Sequence, residues 1–269
     1  MTSLLSKSNH FRTLSILSTV VITTAITGCS SIETSRSTNQ MVAFVAANAT
    51  DPMSSLIKTF QDKDGVQVIP NFAGTQILET QIEQGAKADF FLSADLSHVQ
   101  KMKQEGLLDN FQIVSKTHPV IIIPKTNAKI QSLQDLGTKQ LKLIIGVDSV
   151  PVGKYTRKIF NKANSVYGND FSAKAMSHVV SMETNVKEVL QKVAMGEADA
   201  GIVYRTDVTK KLLQKVDIIE IPKELNVTAT NYIAVPKNAP HPQLGEELMK
   251  LMLSPEGQAT FHNFGYDTK

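Results

Sequence analysis

One cysteine stands in 269 residues, so no disulfide framework can form within the chain. No polybasic run appears, which argues against a nucleic-acid partner. The six histidines, His10, His98, His118, His178, His241 and His262, are scattered without metal-ligand spacing and read as surface or helix-end residues, so no direct protein–metal bond is expected. The sequence has no GxSxG, HExxH, CxxC, GxxxxGK[ST] or GxGxxG motif. The neighbouring Glu246 and Glu247 read as a solvated helix face. The longest early uncharged run, LSILSTVVITTAITG at 14–28, is too short and too rich in Thr and Ser for a membrane span of about 20 residues. A disulfide scaffold is excluded, and catalysis is left without support, although catalytic pairs that meet only in space are invisible in a sequence.

What is present is a globular profile, 42% hydrophobic and 20% charged, long enough for one large domain or two smaller ones. The start differs from the rest. Lys7 and Arg12 precede the uncharged run, which ends in small residues at Cys29, the pattern of an export signal over 1–28. ITGC at 26–29 resembles the bacterial lipobox, in which the cysteine becomes the lipidated first residue of the mature chain. Acyl chains on Cys29 would anchor the protein to a membrane, and the polar SSIETSRSTNQ would be a tether, giving 29–40 as linker. Without Lys7 and Arg12, 26 basic residues face 25 acidic ones, a net +1.

From residue 41 the text alternates apolar strands with helical spacing. MVAFVA (41–46), VQVIPNF (66–72) and ADFFLSA (88–94) read as strands. Met53, Leu56, Ile57 and Phe60, then GTQILETQIEQG (74–85) and LSHVQKMKQEG (96–106), read as helices. HPVIIIPK (118–125) is a candidate crossing into a second lobe, where KLIIGV (142–147), SHVVSM (177–182), DAGIVY (199–204) and VDIIEIP (216–222) read as strands. GKYTRKIFNKA (153–163) and the stretch lined by Val186, Leu190 and Val193 read as helices. NYIAVPK (231–237) offers the route back, and two closing helices begin at Pro242 and Pro255. The expectation is an α/β protein of two lobes, each a mainly parallel sheet flanked by helices, joined by two crossing strands. Lobe 1 is expected to take 41–118 with 235–269, and lobe 2 to take 119–234.

A strand, a short neutral turn and a helix start recur four times: AANATDP (46–52), NFAGTQ (71–76), DSVPVGKY (148–155) and METNVKE (182–188). Helix N-termini at the carboxyl ends of strands carry unpaired N–H groups and about half a positive charge, an anion site without a cation. The alternative is that Thr50, Thr75 and Thr184 are ordinary helix caps.

FVAANAT, FAGTQILETQIEQGAKADFFLSAD, VDSVPVGKY, NVKEVLQKVAMGEADAGIVYRTD and SPEGQATFHNFGY together resemble the molybdate-binding component of bacterial ABC importers, a family within the two-lobed periplasmic binding proteins. The resemblance spans most of 41–266. It implies a monomeric, lipid-anchored extracytoplasmic receptor that holds molybdate or tungstate, needs no cofactor and hands the oxyanion to permease subunits. The family's hydroxyl contacts fall on Asn48, where a serine is usual, and on Thr75, with Gly74 leaving room for backbone approach. Its backbone donors fall on Val152 and Val186, and its tyrosine on Tyr204. At Asn48 the NH2 would donate while the carbonyl faces away, and phosphate's proton would find no acceptor unless Asp51 turned inward. Sulfate, or another anion, is the alternative ligand; an envelope-anchored enzyme on the same scaffold is the remote one.

Overall fold

A computed structural model describes residues 40–127 and 129–268. The expectations for 1–28, Cys29 and the tether to 39 lie outside the described residues. In chain order the elements are β1 (Gln40–Ala46), α1 (Thr50–Asp64), β2 (Gln67–Ala73), α2 (Thr75–Glu83), β3 (Phe90–Ser93), α3 (Leu96–Gln104), β4 (Gln112–Thr117), β5 (Pro119–Pro124), α4 (Asp135–Thr138), β6 (Leu143–Gly146), α5 (Pro151–Tyr167), α6 (Phe171–Ser177), β7 (Val179–Glu183), α7 (Val186–Ala194), β8 (Ala200–Tyr204), β9 (Val216–Ile219), β10 (Ala229–Ala234), α8 (Pro242–Leu253) and α9 (Pro255–Asn263). A 3-10 turn, Ala47–Ala49, joins β1 to α1.

Two five-stranded sheets result, ordered β2-β1-β3-β10-β4 and β7-β6-β8-β5-β9. In the first, β1 runs parallel to β2 and β3, and only β10 is reversed. In the second, β6 runs parallel to β7 and β8, and only β5 is reversed. The two reversed strands are the two that cross. The chain leaves the first sheet after β4 and enters the second at once as β5, and it returns as β10. Placing the second boundary at 234/235 was late by one strand, because β10 already pairs with β3 and β4.

The unbroken apolar strands follow from burial on both faces. Along β1, Met41, Ala43 and Val45 pack toward α1, α8 and α9, through Met53, Phe60, Leu248 and Phe261, while Phe44 packs on the opposite face with Leu78 and Val99 of α2 and α3. In PVIIIP, Ile121 and Ile123 join Ile159, Phe160 and Phe171 of α5 and α6, and Val120 and Ile122 join Val189 and Val193 of α7. Glu246 and Glu247 are solvated as expected. His98 is not a surface residue. It lies buried in the first turn of α3 with Nδ1 on the buried Glu79 carboxylate, to which Lys101 also donates at 2.5 Å. Among the described residues, no helix is long and apolar enough to cross a membrane.

Candidate functional site

Asn48, Gly74, Thr75, Val152, Val186 and Tyr204 all line one small cavity between the two sheets. Its volume is about 20 Å³. Pockets for drug-sized molecules run to roughly 300–1,000 Å³, so this one suits an ion rather than a sugar or a peptide. None of the twelve described residues lining it is charged.

The wall is built from strand ends. The carboxyl ends of β1, β2, β6 and β7 feed the starts of the Ala47–Ala49 turn with α1, of α2, of α5 and of α7. At α2 and α5 no side chain caps the first turn. Pro151 removes one N–H at the start of α5 and leaves Val152 as the next donor. At α7 the Asn185 side chain takes the Glu188 N–H, so Val186 lies at N1, where N–H groups lack an intrahelical partner. The cap alternative does not hold for the three threonines. Thr50 Oγ1 donates to the Ala47 carbonyl at 2.7 Å, Thr75 is the first residue inside α2, and Thr184 Oγ1 donates to Glu188 at 2.9 Å.

Thr75 is oriented by its neighbour. The Ala94 N–H donates to Thr75 Oγ1 at 3.1 Å, which occupies the oxygen as an acceptor and leaves its proton for another partner. Tyr204 is fully buried, and its hydroxyl has no partner among the described residues. Burial pushes its phenol far above the ordinary range, with the nearby Tyr155 adding to the shift, so the group keeps its proton. Tyr155 packs edge-on against Tyr204, with centroids 6.3 Å apart, and its hydroxyl reaches the Ala94 carbonyl at 3.4 Å.

Asn48 departs from expectation. Its Nδ2 donates to Asn231 Oδ1 at 2.9 Å, and the atom left buried without a partner is the carbonyl oxygen. Asp51 does not turn inward; it pairs with Lys187 at 2.9 Å.

Contacts across the cleft were missed by sequence reasoning. Lys154 reaches Asp95 at 3.3 Å and Ser97 Oγ at 2.5 Å. Lys187 bridges Asp51 and, at 3.5 Å, the buried Asp207. Gln76 Nε2 donates to the Thr184 carbonyl at 2.8 Å. Gly74 sits so close to the other lobe that a Cβ on it would fall 2.3 Å from the Thr184 oxygen. Among the described residues no group of three or more His, Cys, Asp or Glu could hold a metal ion.

The family model for bacterial extracellular solute-binding proteins matches residues 41–267. The molybdate-binding protein ModA of Mycobacterium tuberculosis is 31% identical over 229 residues, 84% of each chain. A putative ABC transporter substrate-binding lipoprotein of Bacillus subtilis, YvgL, is 27% identical over 259 residues, 90% of this chain and 92% of its own. Among solved structures, the substrate-binding domain of a putative molybdenum ABC transporter from Clostridium difficile superposes with a TM-score of 0.63 at 27% identity, over 86% of this chain and 99% of that one.

Proposed function

The chain belongs to the bacterial extracellular solute-binding protein family, and from that premise we propose that it captures molybdate or tungstate in this cavity and delivers the anion to an ABC importer. The observation that carries this reading is the convergence of four helix starts and two hydroxyls, Thr75 and Tyr204, on a cavity with no charged lining residue. Helix N-terminal amides attract an anion through fixed dipoles. Molybdate and tungstate carry no proton at neutral pH, so each oxygen only accepts. In this reading Thr75 and Tyr204 donate O–H, Val152 and Val186 donate backbone N–H, and Asn48 is the fifth contact. Monohydrogen phosphate brings a proton that these donors cannot receive, and a buried group left unpaired costs about 1 to 3 kcal/mol.

Delivery requires that the cavity open. Among the described residues the chain passes between the lobes at His118 and in the segment between β9 and β10, so closure about those crossings would bury the anion and opening would release it. Anchoring through Cys29 would hold the receptor at the membrane, and the relative YvgL is described as a lipoprotein. The chain from Ser30 onward, titrated calorimetrically with molybdate, tungstate, sulfate and phosphate, tests the ligand. Stoichiometric binding of the first two, tighter than of the others, is expected; preference for sulfate would move the protein to the second reading, and no binding would overturn both. Replacing Cys29 by serine should release the protein from membranes if the anchor reading is right.

A further inference from the structure

We propose that Ser115, Asn231 and Asn48 form an amide relay that sets whether one corner of the cavity donates or accepts a hydrogen bond, which makes Asn231 and Ser115 specificity-determining residues although neither lines the cavity. This deepens the oxyanion reading and rests on it. The three side chains are 1%, 1% and 3% exposed. Ser115 on β4 and Asn231 on β10 face each other in register. Asn231 Nδ2 donates to Ser115 Oγ at 3.0 Å, and Asn48 Nδ2 donates to Asn231 Oδ1 at 2.9 Å. What remains for the cavity is the Asn48 carbonyl oxygen, buried and without a partner.

In this polarity the corner offers an acceptor, which repels a guest that has no proton. A serine hydroxyl both donates and accepts, and an amide turned end for end exchanges an oxygen for an NH2 of nearly the same size. Turning both amides therefore keeps the two contacts of the relay and reverses their sense, with the Tyr266 hydroxyl, which Asn231 also reaches, turning its proton from the Asn48 backbone carbonyl at 2.6 Å toward Asn231 Oδ1. Ser115 O–H donates to Asn231 Oδ1, Asn231 Nδ2 donates to Asn48 Oδ1, and Asn48 Nδ2 is left to donate into the cavity. An unprotonated oxyanion selects the reversed polarity. A protonated one selects the first. The hydroxyl at position 115 is what permits both, because a group that only accepts would hold the relay in one state.

Asn231→Asp supplies such a lock. At mildly alkaline pH its carboxylate only accepts, so Asn48 must donate to it and keep its carbonyl toward the cavity. Asn48→Ser replaces the amide by a hydroxyl whose proton is free to turn, which uncouples the corner from the relay. Calorimetric titration with molybdate of wild type, both single variants and the double variant closes a thermodynamic cycle. Asn231→Asp is expected to weaken molybdate at least about tenfold more in the wild-type background than in the Asn48→Ser background. Equal losses in both would mean that charge and packing act alone, and would overturn the relay. Asn231→Leu, which frees Asn48 to turn, should retain affinity within a few-fold; a loss as large as that of Asn231→Asp would also overturn it. Should the variants fail to fold, side-chain amide NMR of the wild type decides. The Asn48 and Asn231 NH2 signals should shift together on adding molybdate, and an unmoved Asn48 signal refutes the proposal. Wild type binding no anion would remove the functional reading and the relay together, whereas binding without coupling removes the relay alone.

Discussion

Replacing Thr75 by valine tests the neutral-donor site most directly, because the substitution keeps shape and burial and removes only the hydroxyl. The side chain is 1% exposed. Two interactions are lost. One is the bond received from the Ala94 N–H, which lies within the first lobe and does not depend on closure. Its loss leaves a buried donor unpaired and costs about 1 to 3 kcal/mol of stability, but it is common to the free and bound states and cancels in the affinity. The other is the bond to the anion, charge-assisted and worth roughly 1.5 to 3 kcal/mol, or about 10- to 150-fold in Kd. Calorimetry with molybdate measures the second, and thermal unfolding of the ligand-free protein measures the first. Thr75→Ser should restore most of the affinity. Wild-type affinity in a folded Thr75→Val protein would refute the assignment of Thr75, and a loss no larger than twofold would leave the hydroxyl no meaningful part.

Tyr204→Phe removes a hydroxyl that has no partner among the described residues, so ligand-free stability should hold or rise slightly while molybdate affinity falls about tenfold or more; calorimetry and thermal unfolding in parallel check both. Gly74→Ala places a methyl group 2.3 Å from the Thr184 oxygen of the opposite lobe. The variant should fold yet fail to close, seen in small-angle scattering as no compaction on adding molybdate, and wild-type compaction would contradict the cleft geometry. Glu79 is held at about 2, below its ordinary 4.5, by hydrogen bonds from His98 and Lys101 that outweigh its desolvation. A carboxylate with a depressed folded value contributes stability that is present above pH 4.5 and lost as pH falls toward 2. Thermal unfolding should therefore weaken over that window in wild type and weaken less in Glu79→Gln; parallel pH curves would remove Glu79 as a cause.

The strands and turns that make the cavity were legible because each is local. MVAFVA and HPVIIIPK announce strands buried on both faces, and the turns at Asn48, Thr75, Val152 and Val186 follow them within a few residues. Strand β4 was not legible. In QIVSKT only Val114 is a fully buried aliphatic, and Ser115 and Thr117 are buried polar residues that read as loop. Helix α6 was missed for a related reason, since FSAKAMS buries just Phe171 and Ala175. Asn231 carried a faint signal, a polar residue in the otherwise apolar run NYIAV. Its meaning depends on Asn48, which is 183 residues away. The same holds for Lys154 and Lys187, whose spacing marks them only as helix-surface residues while their acidic partners lie 59 and 136 positions distant.

Those lysines bear on how an uncharged cavity could hold a dianion. Both come from the second lobe and stand at its rim, and each is already engaged by a carboxylate of the first: Lys154 by Asp95, and Lys187 by Asp51, with Asp207 of its own lobe behind it. Their charges are thus directed at closing the cleft rather than at the guest. Asp207 shows what the arrangement costs. Burial raises it to about 6 despite the neighbouring lysine, so its ionised form is tolerated only while Lys187 stays in place. A cation reaching the anion itself would form a strong, desolvated pair that resists release. Backbone dipoles would attract the same guest through fixed partial charges, and those charges would move apart on opening of the lobes. Under the proposed function, placing the full charges on the latch and the partial charges in the cavity would let one motion break both sets of contacts, as release of a held anion would require.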